Sequence, residues 1–100
     1  MTNVEIANTI LKQMGGTGRL NAMTGAKDFV AIDNGVQFKI GRNSKSINTI
    51  VIRLNGRDLY DVEFGRVRKY EYKVVNKYDD VYNDMLKDLF EENTGMYLTF

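Results

Sequence analysis

The 100-residue chain contains no cysteine, histidine, proline or tryptophan. The first two absences exclude the usual zinc sites, Ser-His-Asp and Cys-His nucleophiles, and imidazole acid–base work. With no cysteine there is also no disulfide framework, which agrees with a reducing compartment. No stretch approaches the ~20 apolar residues of a membrane span. The N-terminus lacks the basic-then-apolar order of a signal peptide, and no Asn-x-Ser/Thr sequon occurs. The expectation is a cytoplasmic protein without membrane partners, cofactor or metal.

What is present suffices for a core. Apolar residues make up 43% of the chain, including five Phe and six Tyr. One domain over residues 1–100 is expected, burying roughly two-thirds of the surface its unfolded chain exposes. Formal net charge is only +1, but it is unevenly spread. Residues 1–77 carry 13 Lys/Arg against 7 Asp/Glu, whereas residues 78–100 carry 1 against 6. The chain is dipolar, although asymmetry of this size is also an ordinary surface feature.

The stretch Thr49–Val75, TIVIRLNGRDLYDVEFGRVRKYEYKVV, alternates apolar and polar residues and is interrupted at Asn55-Gly56 and Gly65. That is the pattern of an antiparallel meander with one buried face. Placing Ile50, Ile52, Tyr60, Val62 and Phe64 on that face favours a three-residue loop with Gly56 at a left-handed bulge position. The same reasoning applied to Phe29–Ile40 predicts a three-residue turn, Asp33-Asn34-Gly35. It sets Val30 and Ile32 beside Val36, Phe38 and Ile40, and turns Phe29 away.

Helices bracket the strands. Thr2-x-x-Glu5 is a capping box ahead of the stripe Val4, Ala7, Ile10, Leu11 and Met14, so a helix is expected from Asn3 to Met14 and a stop at Gly15-Gly16. A second is expected from Asp80 to Asn93 on Val81, Tyr82, Met85, Leu86, Leu89 and Phe90, closed by Thr94-Gly95. Between the first helix and the strands, residues 15–28 read as irregular, with a short edge strand at Leu20–Met23. The tail places Met96, Leu98 and Phe100 as a further strand or as core contacts. The architecture expected is α+β: an antiparallel sheet of about five strands flanked by an N-terminal and a C-terminal amphipathic helix.

Candidate chemistry is sparse. Asp61 and Glu63 share a strand face, as solvent-facing carboxylates do. GGTGRLNAMTGAK fits neither the Walker A nor the dinucleotide spacing, and it follows a helix where both motifs follow a strand. Its exposed N–H groups beside Arg19 and Lys27 suit an anion. Arg19, Lys27, Lys39, Arg42 and Lys45 cluster in two loops and a strand, and suit nucleic-acid phosphates. Arg66, Arg68, Lys69 and Lys73 flank the expected Gly65 turn; Tyr70 and Tyr72 alternate with them and are expected to face the core.

AMTGAKDF (Ala22 to Phe29), NGRDLYDVEFGRVRKYEYKVV and the ending ENTGMYL resemble a family of small proteins encoded by bacteriophages, prophages and other mobile elements. Leu20 stands where that pattern suggests an aromatic, and Asp28 where it suggests Asn. The resemblance implies an intracellular accessory protein and supplies no catalytic residues. It favours a stoichiometric, non-enzymatic inhibitor or modulator of a host nucleic-acid-processing or defence complex. Expected contacts are Asn21 and Thr24 with the basic cluster, or Asp80, Asp84, Asp88 and Glu91 on an acidic helix acting as a nucleic-acid mimic. The alternative is direct DNA or RNA binding through the basic cluster. A homo-oligomer stays open.

Overall fold

A computed structural model describes residues 2–98. The order is α1 (Asn3–Gln13), α2 (Thr17–Thr24), β1 (Lys27–Ile32), β2 (Gly35–Lys39), β3 (Thr49–Leu54), β4 (Tyr60–Arg68), β5 (Glu71–Val81) and α3 (Leu86–Thr94), with a 3₁₀ turn at Asn83–Met85. The five strands pair antiparallel in sequence order, a meander with each strand next to its successor. The fold is α+β.

The capping box forms as the sequence predicts. Thr2 Oγ1 accepts from the Glu5 amide, and Glu5 Oε1 accepts from the Thr2 amide. Those two bonds satisfy N-terminal donors that the helix leaves unpaired, and hydrogen bonding from Thr2, its backbone amide first, holds the Glu5 carboxyl below its ordinary value. Ile6, Ala7, Ile10, Leu11 and Met14 are buried, while Val4 lies outside the stripe and is exposed.

Ile50 pairs with Phe64, Ile52 with Val62 and Leu54 with Tyr60, so Ile50, Ile52, Tyr60, Val62 and Phe64 do share one face. They join Val36 and Phe38 of β2 and Ile6, Ile10, Leu20, Leu86, Phe90 and Leu98 in one core cluster. Each fully buried side chain of this size contributes roughly 1.5–3 kcal/mol. Phe100 lies outside the described residues.

Neither expected bulged turn forms. The β3–β4 connection is a five-residue loop, Asn55 to Leu59, with Asp58 at φ 59° where Gly56 was expected to be left-handed. Asn55 organises it: its Oδ1 accepts from the amides of Arg57 and Leu59. A five-residue loop keeps the same face parity as a three-residue one, so the core assignment survives a wrong turn. The β1–β2 turn is shorter than expected, two residues, with Ile32 opposite Gly35 and Asn34 at φ 57°. One residue fewer reverses the facing of β1. Val30 is therefore 52% exposed, and Phe29 packs on Phe38 with ring centroids 5.2 Å apart.

Three further expectations are corrected. Residues 17–24 form α2 instead of an edge strand, held by the Gly41 amide donating to Thr24 O at 2.8 Å and ended by Gly25 at φ 70°. Residues 80 and 81 continue β5, so the last helix starts at Leu86 and leaves Tyr82 and Met85 exposed. Gly65 is no turn; it lies inside β4, where the Tyr72 ring covers it so closely that a Cβ would collide. Tyr72 is thus on the helix-free face instead of in the core.

The Tyr72 hydroxyl donates to Glu63 Oε2 at 3.1 Å. Partial burial, then Glu63, push its pKa up to about 12. Because the neutral phenol is the form the fold favours, this contribution is complete below the unfolded value of about 10 and disappears as pH rises to about 12. At a site 44% exposed it amounts to no more than ~1 kcal/mol after screening. Melting curves should show wild type above Tyr72→Phe at pH 8, with the gap closing by about pH 11.5. A gap that widens would contradict the assignment.

Candidate interaction surfaces

Beyond Gly65, β4 and β5 run on as a two-stranded arm. Arg66 pairs with Lys73, Val67 with Tyr72 and Arg68 with Glu71. Strand alternation sorts the arm into two faces. Arg66, Arg68, Lys73 and Glu71 lie on one, Val67 and Tyr72 on the other. At the tip, Lys69 and Tyr70 occupy the two loop positions with φ of 50° and 71°. Tyr70 is 104% exposed, contrary to the expectation that it faces the core.

The connection between β2 and β3 is tied to this arm. Asn43 is its hub: its Oδ1 accepts from the amides of Lys45 and Ile47, and its Nδ2 donates to the carbonyls of Gly41 and Ile47. Ile47 anchors the loop in the core. The Asn48 side-chain amide then extends the ladder by one rung, donating to Val67 O at 2.9 Å and accepting from Val67 N at 2.8 Å. Arg66 Nε donates to Ser46 O at 2.9 Å. Between loop and arm lies an open cleft of about 350 Å³ lined by Arg42, Asn43, Ser46, Asn48, Arg66 and Arg68. Three arginines thus line one cleft on a hydrogen-bonded scaffold, a composition suited to phosphate oxygens.

The sequence-predicted residues distribute as follows. Arg42 and Lys45 sit on the loop beside the arm, and Arg42 lines the cleft. Lys27 and Lys39 are exposed cross-strand neighbours at the other sheet edge. Arg19 lies on α2 with its side chain against Gly15. Asn21 Nδ2 donates to Ala26 O, and the buried Thr24 hydroxyl donates to Leu20 O, so both side chains serve the α2–β1 junction. Glu91 Oε2 accepts from the Leu98 amide at 2.7 Å and pins the C-terminal segment.

The acidic residues also separate. Asp80, at φ 58°, accepts from Asn55 Nδ2 at 2.8 Å and pairs with Arg57 at 3.1 Å, which ties β5 to the β3–β4 loop. Asp84 and Asp88 are exposed. Asp88 contributes, with Asp79 and Glu92, to the rim of a groove of about 330 Å³ floored by Tyr78, Val81, Tyr82, Met85 and Leu89. Among the described residues no group of three or more carboxylates is placed to hold a metal ion. No helix among them is long and apolar enough to cross a membrane.

Sequence reasoning missed Asn43, Asn48 and the exposed Tyr70. A signal existed for the first two: GRNSKSINT places Asn at both shoulders of a polar loop, and Asn side chains imitate backbone turns and rungs. For Tyr70, period-2 alternation was extrapolated through the tip, where the strands end.

The fold and its surfaces define a small α+β domain that projects a basic, aromatic-tipped hairpin arm. No family model matches this chain, and neither a curated protein nor a solved structure matches it.

Proposed function

We propose that the chain is a phage-type cytoplasmic accessory protein that acts by stoichiometric binding on a host nucleic-acid-processing or defence complex, and that it meets the nucleic acid of such a complex directly through the loop–arm cleft. The observation that carries this reading is that Arg42, Arg66 and Arg68 line one open cleft. Lys45, Lys69 and Lys73 stand exposed on the same loop and arm. Arginine forks recognise phosphate, and fixed loops spare the ordering cost that flexible side chains would bring. Of the earlier basic cluster, this reading keeps Arg42 and Lys45 and adds the arm.

A second reading, modulation of a protein partner, draws support from the acid-rimmed apolar groove beside α3. Exposed Tyr82 and Met85 suit a protein surface better than a mimic of bare phosphates.

Fluorescence anisotropy with labelled oligonucleotides tests the leading reading. Binding is expected at low salt, with log K falling against log salt at a slope of about −3 for roughly four neutralised phosphates on single strands. The double variant Arg42→Glu, Arg68→Glu should weaken it by at least about tenfold. Absence of binding to any nucleic acid at low salt would reject the reading and leave the groove as the working surface.

A further inference from the structure

The tip of the arm is built against local preference. Two loop residues, both at positive φ, are the mark of a type I′ turn, whose ordinary occupants are Asn-Gly or similar. Here Lys69 and Tyr70 fill it. A bulky residue at positive φ is a genuine outlier, and each such placement costs of order 1–3 kcal/mol.

The fold gains nothing visible in return. Tyr70 is 104% exposed and makes no hydrogen bond or ring contact among the described residues. On the same hairpin Arg68, Lys69 and Lys73, with Arg66 and Glu71, line a second open concavity of about 370 Å³. Strain concentrated at a fully exposed aromatic points outward, to something the ring contacts when bound.

Resting on the nucleic-acid reading above, we propose that Tyr70 is a stacking platform for an unpaired base, so that the ligand class is single-stranded nucleic acid or an unpaired loop. Guanidinium groups behind the tip hold phosphates and tolerate any sequence or strandedness. An aromatic face is different, because bases inside a duplex already stack on each other and offer none of their own. The remaining arm chemistry agrees. Strand rise puts Arg66 roughly 13 Å back from the tip, so the ring and the cleft address different nucleotides of one strand.

The test compares wild type, Tyr70→Ala and Tyr70→Phe on two probes, an oligothymidylate of about 12 nucleotides and a blunt-ended, loop-free duplex of similar charge. Tyr70→Ala should weaken single-strand binding about tenfold, leave duplex binding within about twofold, and keep the salt slope. Tyr70→Phe should restore single-strand affinity, since the ring and not the hydroxyl stacks. A 2-aminopurine in the strand should be quenched by wild type and by Tyr70→Phe only. Circular dichroism checks that each variant is folded. Single-strand affinity unchanged in Tyr70→Ala, or equal losses on both probes, would overturn the stacking role while leaving the phosphate cleft standing. If wild type binds neither probe, the nucleic-acid reading itself fails and takes this proposal with it.

Discussion

Lys69→Asn combined with Tyr70→Gly should make the protein more stable and at the same time impair its binding. Asn and Gly are the residues a type I′ turn favours, because both central positions have positive φ. Relieving a left-handed Lys and a left-handed Tyr returns about 1–2 kcal/mol each, and the freer unfolded chain that Gly brings takes back up to ~1 kcal/mol. The expected net gain is about 1.5 kcal/mol, or roughly 6–12 °C in melting temperature for a domain this size. Single-strand affinity should fall at least as far as in Tyr70→Ala, because the Lys69 charge is lost with the ring. Most substitutions destabilise, so a gain in stability coupled to a loss of binding identifies a residue pair kept for function. A variant that melts lower than wild type would show that Lys69 and Tyr70 are not strained.

The largest loss of stability is expected at Gly35→Ala. A Cβ here would run into the carbonyl oxygen of Ile52 and come within 2.8 Å of Arg53 Cα. Both obstacles are backbone of the adjacent strand β3, which is fixed by ladders on its two sides and cannot swing aside. Overpacking costs typically 1–3 kcal/mol and more when only backbone can yield, so ~3 kcal/mol or worse is expected. A urea titration followed by circular dichroism measures it. Gly65→Ala is the control. Its obstacle is the Tyr72 ring, a side chain free to rotate off the face, so the cost should stay near ~1 kcal/mol. Equal losses at the two glycines would contradict the packing described for Gly35.

These two glycines also explain what the sequence did and did not disclose. Both were read as turn signals, the usual meaning of Gly between alternating runs. In the structure Gly35 opens β2 just past the turn, where it admits a neighbouring backbone, and Gly65 lies inside β4, where it receives an aromatic ring. The five-strand sheet, the core face of β3 and β4, the capping box and the Gly95 stop were legible, because period-2 alternation and capping chemistry are local. The facing of β1 was not, since it depended on a single residue of turn length. Helix α2 was also hidden. It buries only Leu20 and Thr24, opens in a glycine-rich run and is held by the Gly41–Thr24 bond, a tertiary contact.

Of the candidate site, sequence gave the charges and their unevenness but not their grouping. Arg42 and Arg66 are far apart in the chain; they meet because Asn48 pairs with Val67 and Arg66 bonds to Ser46. Thr24 and Glu91 were candidates by residue type alone, and their side chains are occupied within the fold. The acidic C-terminal segment, residues 78–100, divides between loop fastening at Asp80 and an exposed groove rim at Asp88 and Glu92.

The most direct test of the central claim, that the loop–arm cleft is a nucleic-acid contact surface, is an amide NMR titration with an oligothymidylate at low salt. Shifts should concentrate in residues 41–48 and 66–73 and reverse when salt is raised. Shifts centred instead on Tyr82, Met85 and Asp88, or none at all, would contradict it.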